Sequence, residues 1–397
     1  MKHIVLLSKD ATLPEYFGPY GAKYFKTPNI DKLAAKGTVF RKHYTAAPST
    51  SMAFAAMFTG KFSYEMDYTH YIEVGKYTGQ TLFDTLHEMG YECHLLWSSN
   101  YIKMAEKYTK CYGDHTIHHD KLKFNQSCGF NVKITKEYRK IDEALAQQTF
   151  QKILDEVDTI DYKNKPVFLW IHMPHCITGR RAYGDDIDIF DNLVGEMVKR
   201  FGDENLFVTA DHGHMNGMRG VSGYGFDVYD RAARIPLVAP RINGADEIDF
   251  PTSNIQLTEI ILNHTVTKLP YLVCDSAYYA QPNRKMAIIK GNLYYIYNKL
   301  TNTEELYDMD LDPSQQINLM KSMIWKDTNR LCMTDVRQVI QYPYWNEIDG
   351  YKKMMREIKD SIWKNGEWRL ETRLKFKYYK GRAGYLKNGI LKYIGLK

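Results

Sequence analysis

At 397 residues the chain is long enough for one large domain and a smaller one. Apolar residues make up 44% and charged residues 25%, which excludes a disordered chain. No apolar run approaches the ~18–20 residues that span a bilayer as a helix, and the net charge of +6 is concentrated at one end: residues 361–397 hold ten Lys/Arg against two Asp/Glu.

The opening MKHIVLLSKD meets Lys9 and Asp10 too soon for a signal-peptide core and reads as a first buried strand over Ile4–Ser8. Thr27-Pro28-Asn29-Ile30-Asp31 then predicts a helix start, with Thr27 as N-cap, Pro28 at the first turn and Gly37 as the stop. Ala47–Gly60 is a small-residue loop running into a short helix that stops at Gly60. Apolar runs at Glu92–Trp97, Val167–His172 and Leu206–Ala210 alternate with helical patterns at about Gln80–Met89, Ile141–Val157 and Asp186–Phe201. That alternation is the mark of βαβ construction and a parallel sheet. Past residue 245, Met286–Tyr297 predicts a hairpin turning at Gly291-Asn292, and a helix is expected near Tyr351–Trp363. The six cysteines (Cys93, Cys111, Cys128, Cys176, Cys274, Cys332) lack CxxC spacing, so free thiols and a cytoplasmic location are expected.

Three segments where a strand gives way to a loop carry polar chemistry: Asp10, the Ser49-Thr50-Ser51 loop, and Asp211-His212-Gly213-His214. In open α/β sheets ligands bind beyond the carboxyl ends of the strands, so the three could converge. Asp10, Asp211 and His212 form a mixed oxygen and nitrogen set suited to Zn or Mn. Thr50 at a helix start would have free N–H groups around it, which favour an anionic ester and an alkoxide. Taken singly, each segment also has a plain reading, as a turn or a helix cap.

In order along the chain, Thr27-Pro28-Asn29-Ile30-Asp31-Lys32-Leu33-Ala34 is similar to the TPNLDxLA helix of the sulfatases. His43-Tyr44-Thr45 precedes the nucleophile loop as it does there, and Ala55-Ala56-Met57-Phe58-Thr59-Gly60 resembles the AALLTG that ends that loop's helix. Asp211-His212-Gly213 resembles the second metal motif, Arg234-Ile235-Pro236-Leu237 the downstream RVPL, and Glu305-Leu306-Tyr307-Asp308 through Asn318-Leu319 the ELYD…DP…NL segment. The chain thus resembles the sulfatases and related phosphotransferases of the alkaline phosphatase superfamily, as far as about Met320.

The resemblance implies roles and also departs from the sulfatase pattern. Thr50 falls where sulfatases carry the Cys or Ser converted to formylglycine, and Met52 and Phe54 replace the Pro and Arg of CxPSR. Threonine cannot become formylglycine, but it is the nucleophile in the phosphoglycerol and phosphoethanolamine transferases of this superfamily. Lys9 and Asp10 stand where sulfatases usually carry two aspartates, which again resembles the transferases. Lys9 would either supply charge near the phosphate or point away. His175 aligns with the histidine of the family's PH motif, and His172 reads as a strand-end residue. Arg180 and Arg181 could clamp an anion or be surface residues; His214 could contact substrate or be solvated; His115, His118 and His119 have no counterpart.

The expectation is therefore an α/β fold, a central largely parallel sheet flanked by helices (alkaline phosphatase-like), with a smaller C-terminal α+β subdomain. The divisions are 1–245, 246–360 and a basic aromatic tail, 361–397. The implied enzyme is a metal-dependent phosphoryl-group transferase working through phosphothreonine at Thr50 with His175, and modifying a cell-surface or capsular glycan precursor. Lys9, Arg180, Arg181 and His214 would bind substrate. Asp10, Thr50, Asp211 and His212 would hold one divalent metal, Zn or Mn before Mg or Ca. The donor would be a phosphodiester or activated phosphate, and the acceptor a glycan or lipid-linked alcohol. The tail could touch the anionic inner membrane face, and no nucleic acid is expected. The rival readings are a phosphodiesterase, phosphonate-ester hydrolase or atypical sulfatase, and a non-catalytic binding module.

Overall fold

The structure, a computed structural model, describes residues 2–65, 79–97, 150–151, 153–173, 186–215, 217–220, 223–276, 285–299, 301–321, 323–325, 333–335 and 342–363. The strands that build the body are Ile4–Lys9 (β1), Thr38–Phe40 (β2), His43–Tyr44 (β3), Glu92–Trp97 (β4), Val167–Met173 (β5), Leu206–Ala210 (β6), Arg234–Ile235 (β7), Leu237–Ala239 (β8), Glu247–Ile248 (β9) and Thr252–Ser253 (β10). Seven of them form one sheet in the order β4-β5-β1-β6-β8-β2-β9. β1, β4, β5 and β6 run parallel, while β8 is antiparallel to both of its neighbours. β1, β5 and β6 are buried along their whole length, as strands covered on both faces must be.

Alternation along β1 sorts its side chains between two layers. Val5 and Leu7 join one core with Ile30 and Leu33 of Pro28–Lys36 (α1) and the apolar stripe of Ile187–Phe201 (α4). Ile4 and Leu6 face a second core with Phe54 and Phe58 of Thr50–Thr59 (α2), Phe83 of Leu82–Glu88 (α3) and Ile260 of Leu257–Asn263 (α6). The result is the expected helix–sheet–helix sandwich.

Beyond it, Leu272–Asp275 (β11), Lys285–Lys290 (β12), Leu293–Asn298 (β13) and Thr303–Asp308 (β14) form an antiparallel sheet. The β12–β13 hairpin turns at Gly291-Asn292 as expected, with Lys290 paired to Leu293. Gly291, at φ 61°, takes the first turn position, where a side chain would be strained. Ile348–Trp363 (α7) sets Ile348, Met355 and Ile362 into the same apolar cluster as this sheet. β9, past residue 245, still pairs with β2 of the large sheet.

Thr27 stands at the start of α1, but its hydroxyl does not cap the helix. It donates to Asp31 (3.1 Å) and accepts from the Gly18 N–H (2.8 Å). The first-turn N–H groups of Asn29 and Ile30 are taken instead by the Asp191 carboxylate of α4. No helix among the described residues is long and apolar enough to cross a membrane. His175, Arg180, Arg181, His115, His118, His119, residues 141–149 and the basic tail from residue 364 lie outside the described residues.

Candidate metal and nucleophile site

The register of the central strands brings the acidic residues together. Lys9 of β1 is paired with Ala210 of β6, so Asp10 and Asp211 leave the sheet side by side. The chain turns sharply after Asp10: Ala11 sits at φ 48° and sends its N–H to Asp211 Oδ1 (3.0 Å). The His212 N–H reaches the same oxygen (2.8 Å). Asp211 Oδ2 is left without a hydrogen bond in a fully buried position, 3.4 Å from His212 Nε2.

His212 is oriented by its other nitrogen. Nδ1 lies 2.8 Å from the Gly213 carbonyl, which can only accept, so the hydrogen is on Nδ1 and the lone pair on Nε2. The Tyr224 ring covers the imidazole, with centroids 4.3 Å apart. Gly213 is required by close packing: a Cβ there would stand 2.2 Å from the Arg231 carbonyl of Asp230–Ala233 (α5). The Gly213 N–H is tied to Ala232 O of the same helix (3.0 Å).

Thr50 arrives from the other side. β3 lies between β7 and β10, and the loop after it is pinned by Thr45 N to Ala233 O (2.8 Å) and Ala46 N to Asn254 Oδ1 (2.9 Å). α2 then starts at Thr50 and is anchored by Phe54, edge-on to Trp170 (4.7 Å) and to His172 (4.8 Å). Ser49, at the N-cap position, places its buried hydroxyl outside the cap. No side chain therefore caps the helix start, an arrangement that suits an anion. Thr50 Oγ1 is 3.1 Å from His212 Nε2 and 1% exposed.

One oxygen each of Asp10 and Asp211 and a ring nitrogen of His212 lie within 4.8 Å of one another. Around His212 Nε2 the separations are 3.1 Å to Thr50 Oγ1, 3.4 Å to Asp211 Oδ2 and 3.7 Å to Asp10 Oδ1. A tetrahedron with bonds of about 2.1 Å has edges of about 3.4 Å. The measured separations bracket that value, and Asp211 Oδ2 is an orphaned acceptor beside a lone pair. The residues fit a divalent ion.

The remaining expected residues are placed as follows. Lys9 is 1% exposed and paired with Asp186 at the start of α4 (3.0 Å). His214 is fully buried rather than solvated, with Nε2 2.8 Å from the Tyr16 hydroxyl. His172 does end a strand, but it also belongs to the surroundings of the site. Trp170 Nε1–H donates to Ser8 Oγ (2.9 Å), and Ser8 in turn bonds His172 Nδ1 (2.9 Å). Burial lowers the His172 pKa, against the opposing pull of Asp211 and Asp10. Sequence reasoning missed Tyr224, Tyr16 and Ser8; only Ser8, at the end of a recognised strand, stood near a visible motif.

A parallel-centred α/β sheet with an Asp-Asp-His cluster and a helix-start hydroxyl at its carboxyl edge is similar to the sulfatases of the alkaline phosphatase superfamily, as the sequence led us to expect. Residues 2–176 match the family model described as Sulfatase. The uncharacterized sulfatase YidJ of Escherichia coli K12 is 21% identical, over 94% of this chain and 91% of that protein. A Bacteroides thetaiotaomicron structure assigned as a sulfatase superposes with a TM-score of 0.64 at 14% identity, covering 93% of this chain and 94% of that one. The phosphonate monoester hydrolase of Agrobacterium radiobacter gives a TM-score of 0.58 at 13% identity, covering 91% and 96%. At these identities the structures establish the fold, and together the matches support an enzyme acting on sulfate or phosphate esters.

Proposed function

We propose that the chain is a metal-dependent phosphoryl-group transferase with Thr50 as its nucleophile. The observation that supports this reading most is the Thr50 hydroxyl, buried at an uncapped helix start and 3.1 Å from His212 Nε2. The reaction proceeds in two displacements. Thr50 Oγ bonds to phosphorus while the bond from phosphorus to the donor's leaving oxygen breaks. An acceptor hydroxyl then takes the phosphoryl group and releases Thr50. The first-turn N–H groups of α2 hold the phosphoryl oxygens, and a phosphorus in line with Oγ needs little further reorganisation. Asp10, Asp211 and His212 would hold a divalent ion, Zn or Mn by the donor set, which would supply positive charge to the reacting ester. His175 is assigned to protonate the leaving oxygen. The donor is a phosphodiester or activated phosphate, and the acceptor a glycan or lipid-linked alcohol at an anionic membrane face, where the basic tail would bind.

Release to water instead of an acceptor is the second reading, favoured by the fold shared with a phosphonate monoester hydrolase. Mass analysis after incubation with metal and phosphodiester donors tests the nucleophile. A phosphoryl adduct that still carries the donor's second ester group is expected on Thr50, absent in Thr50→Ala and retained on the hydroxyl of Thr50→Ser. Unchanged turnover in Thr50→Ala would sink the proposal. Purely hydrolytic products with every alcohol acceptor would leave the nucleophile intact and remove the transferase.

A further inference from the structure

Behind the metal loop lies a cavity of about 280 Å³ that the proposed chemistry does not use. One wall is α5 with Tyr229, the second is Met215 and Arg219, and the third is the Pro313–Gln315 turn after β14. Its charges are unequal in a specific way. Arg234 occupies both carboxylates of the cavity, bonding Asp230 through Nε (2.9 Å) and Glu15 through Nη2. Asp230 also accepts from the Tyr44 hydroxyl (3.0 Å). The acceptors are thus already engaged.

The donors are not. Among the described residues Arg231 makes no hydrogen bond or ion pair, and its Nε is buried. Gln315 is 3% exposed. Its Oε1 accepts from the Asp230 N–H (2.8 Å), which fixes the orientation of the amide, and Nε2 is left without a partner. Arg219 lies over the Tyr229 ring at 4.2 Å and donates to the Gln315 carbonyl. Both Arg219 and Gln315 are held at φ 54°, a left-handed conformation that costs a non-glycine residue free energy. Buried donors without acceptors are rare in folded proteins, and two that belong to residues lining one cavity, Arg231 and Gln315, imply an acceptor from outside.

We infer that this cavity is an oxyanion-binding site, taking a sulfate, phosphate or carboxylate group between Arg231, Arg219 and the Gln315 amide. Guanidinium groups suit such anions because they present paired N–H donors in one plane. The group is either a free ion or a second acidic group on the substrate, and the chemistry of recognition is the same. The inference does not depend on which ester is cleaved at Thr50.

Calorimetric titration of the full chain tests it, with inorganic sulfate in one arm and a sulfated monosaccharide in the other, with and without Mn. Thr50→Ala should bind as the wild type does, because the cavity is not the nucleophile site. Arg231→Gln should weaken binding about tenfold, the loss typical of one charge-assisted contact. Ser314→Asp, at the exposed rim, should weaken it as well by repulsion, and serves if Arg231→Gln does not fold. Comparable binding in both arms marks a free ion; binding of the sugar ester alone marks a substrate-borne group. No binding in either arm, or equal affinity in wild type, Arg231→Gln and Ser314→Asp, overturns the inference.

Discussion

The buried imidazoles of His212 and His43 differ in what their second nitrogen meets. His212 spends Nδ1 on a carbonyl and keeps Nε2 for chemistry. His43, on β3, bonds Thr252 Oγ1 through Nδ1 (2.9 Å) and has no partner for Nε2. Burial alone pushes the His43 pKa down to about 3. The unfolded chain therefore takes up this proton first as the pH falls. Stability from His43 is complete above the unfolded imidazole value of ~6.5 and declines between there and about 3. One proton corresponds to about 1.4 kcal/mol per pH unit. Urea denaturation between pH 6.5 and 5.0 should show a shallower loss of stability in His43→Gln by roughly one proton; equal slopes would contradict the assignment. Asp10, Asp211 and His212 could be read from the sequence because they stand within a few residues of the ends of apolar runs. Tyr16, which holds His214, could not, since 198 residues separate the pair and no local pattern links them.

Among the elements, strands were the most legible, since a strand covered on both faces needs a near-continuous apolar run. Their order in the sheet was not. β8 separates β6 from β2 through pairings that local patterning does not encode. The N-terminus of α1 shows the same limit: a capping threonine was visible, but Asp191, on another helix, serves the first-turn N–H groups. The joint between β1 and α4 rests on the Lys9–Asp186 pair, whose side chains are 1% and 6% exposed. Removing one member of a buried pair leaves an uncompensated charge and typically costs about 3–5 kcal/mol. Lys9→Met should lower unfolding stability by that order, and Lys9→Met/Asp186→Leu should recover most of it. A loss in Lys9→Met below about 0.5 kcal/mol, the level of a surface change, would mean the pair does not support the joint.

For the molecule as a whole, the fold class was legible because the βαβ alternation and the ordered motifs pointed the same way. The cavity behind the metal loop was not, because it forms where Arg219, Arg231 and Gln315 meet from three separate segments. A divalent ion held by Asp10, Asp211 and His212 would also make global stability depend on solution metal. A ligand that binds only the folded state stabilises it by about 2.7 kcal/mol at a hundredfold excess over Kd. Zn or Mn added to chelator-treated protein should raise the melting temperature by several degrees, and Asp211→Asn should lose that gain. An equal rise in Asp211→Asn would place the ion elsewhere.

The pairing of Lys9 with Ala210 has one more consequence, which concerns time. The Ala11 N–H and the Asp211 carboxylate that it steadies are 200 residues apart. Contacts of such separation close late, after a large loss of chain entropy. On the ribosome, Asp10 is made long before Asp211, so the second candidate acidic ligand is absent until β6 has been made. Metal capture would thereby be deferred until β1 and β6 can pair, so that the ion would meet a formed strand pair and not a loose, carboxylate-bearing chain.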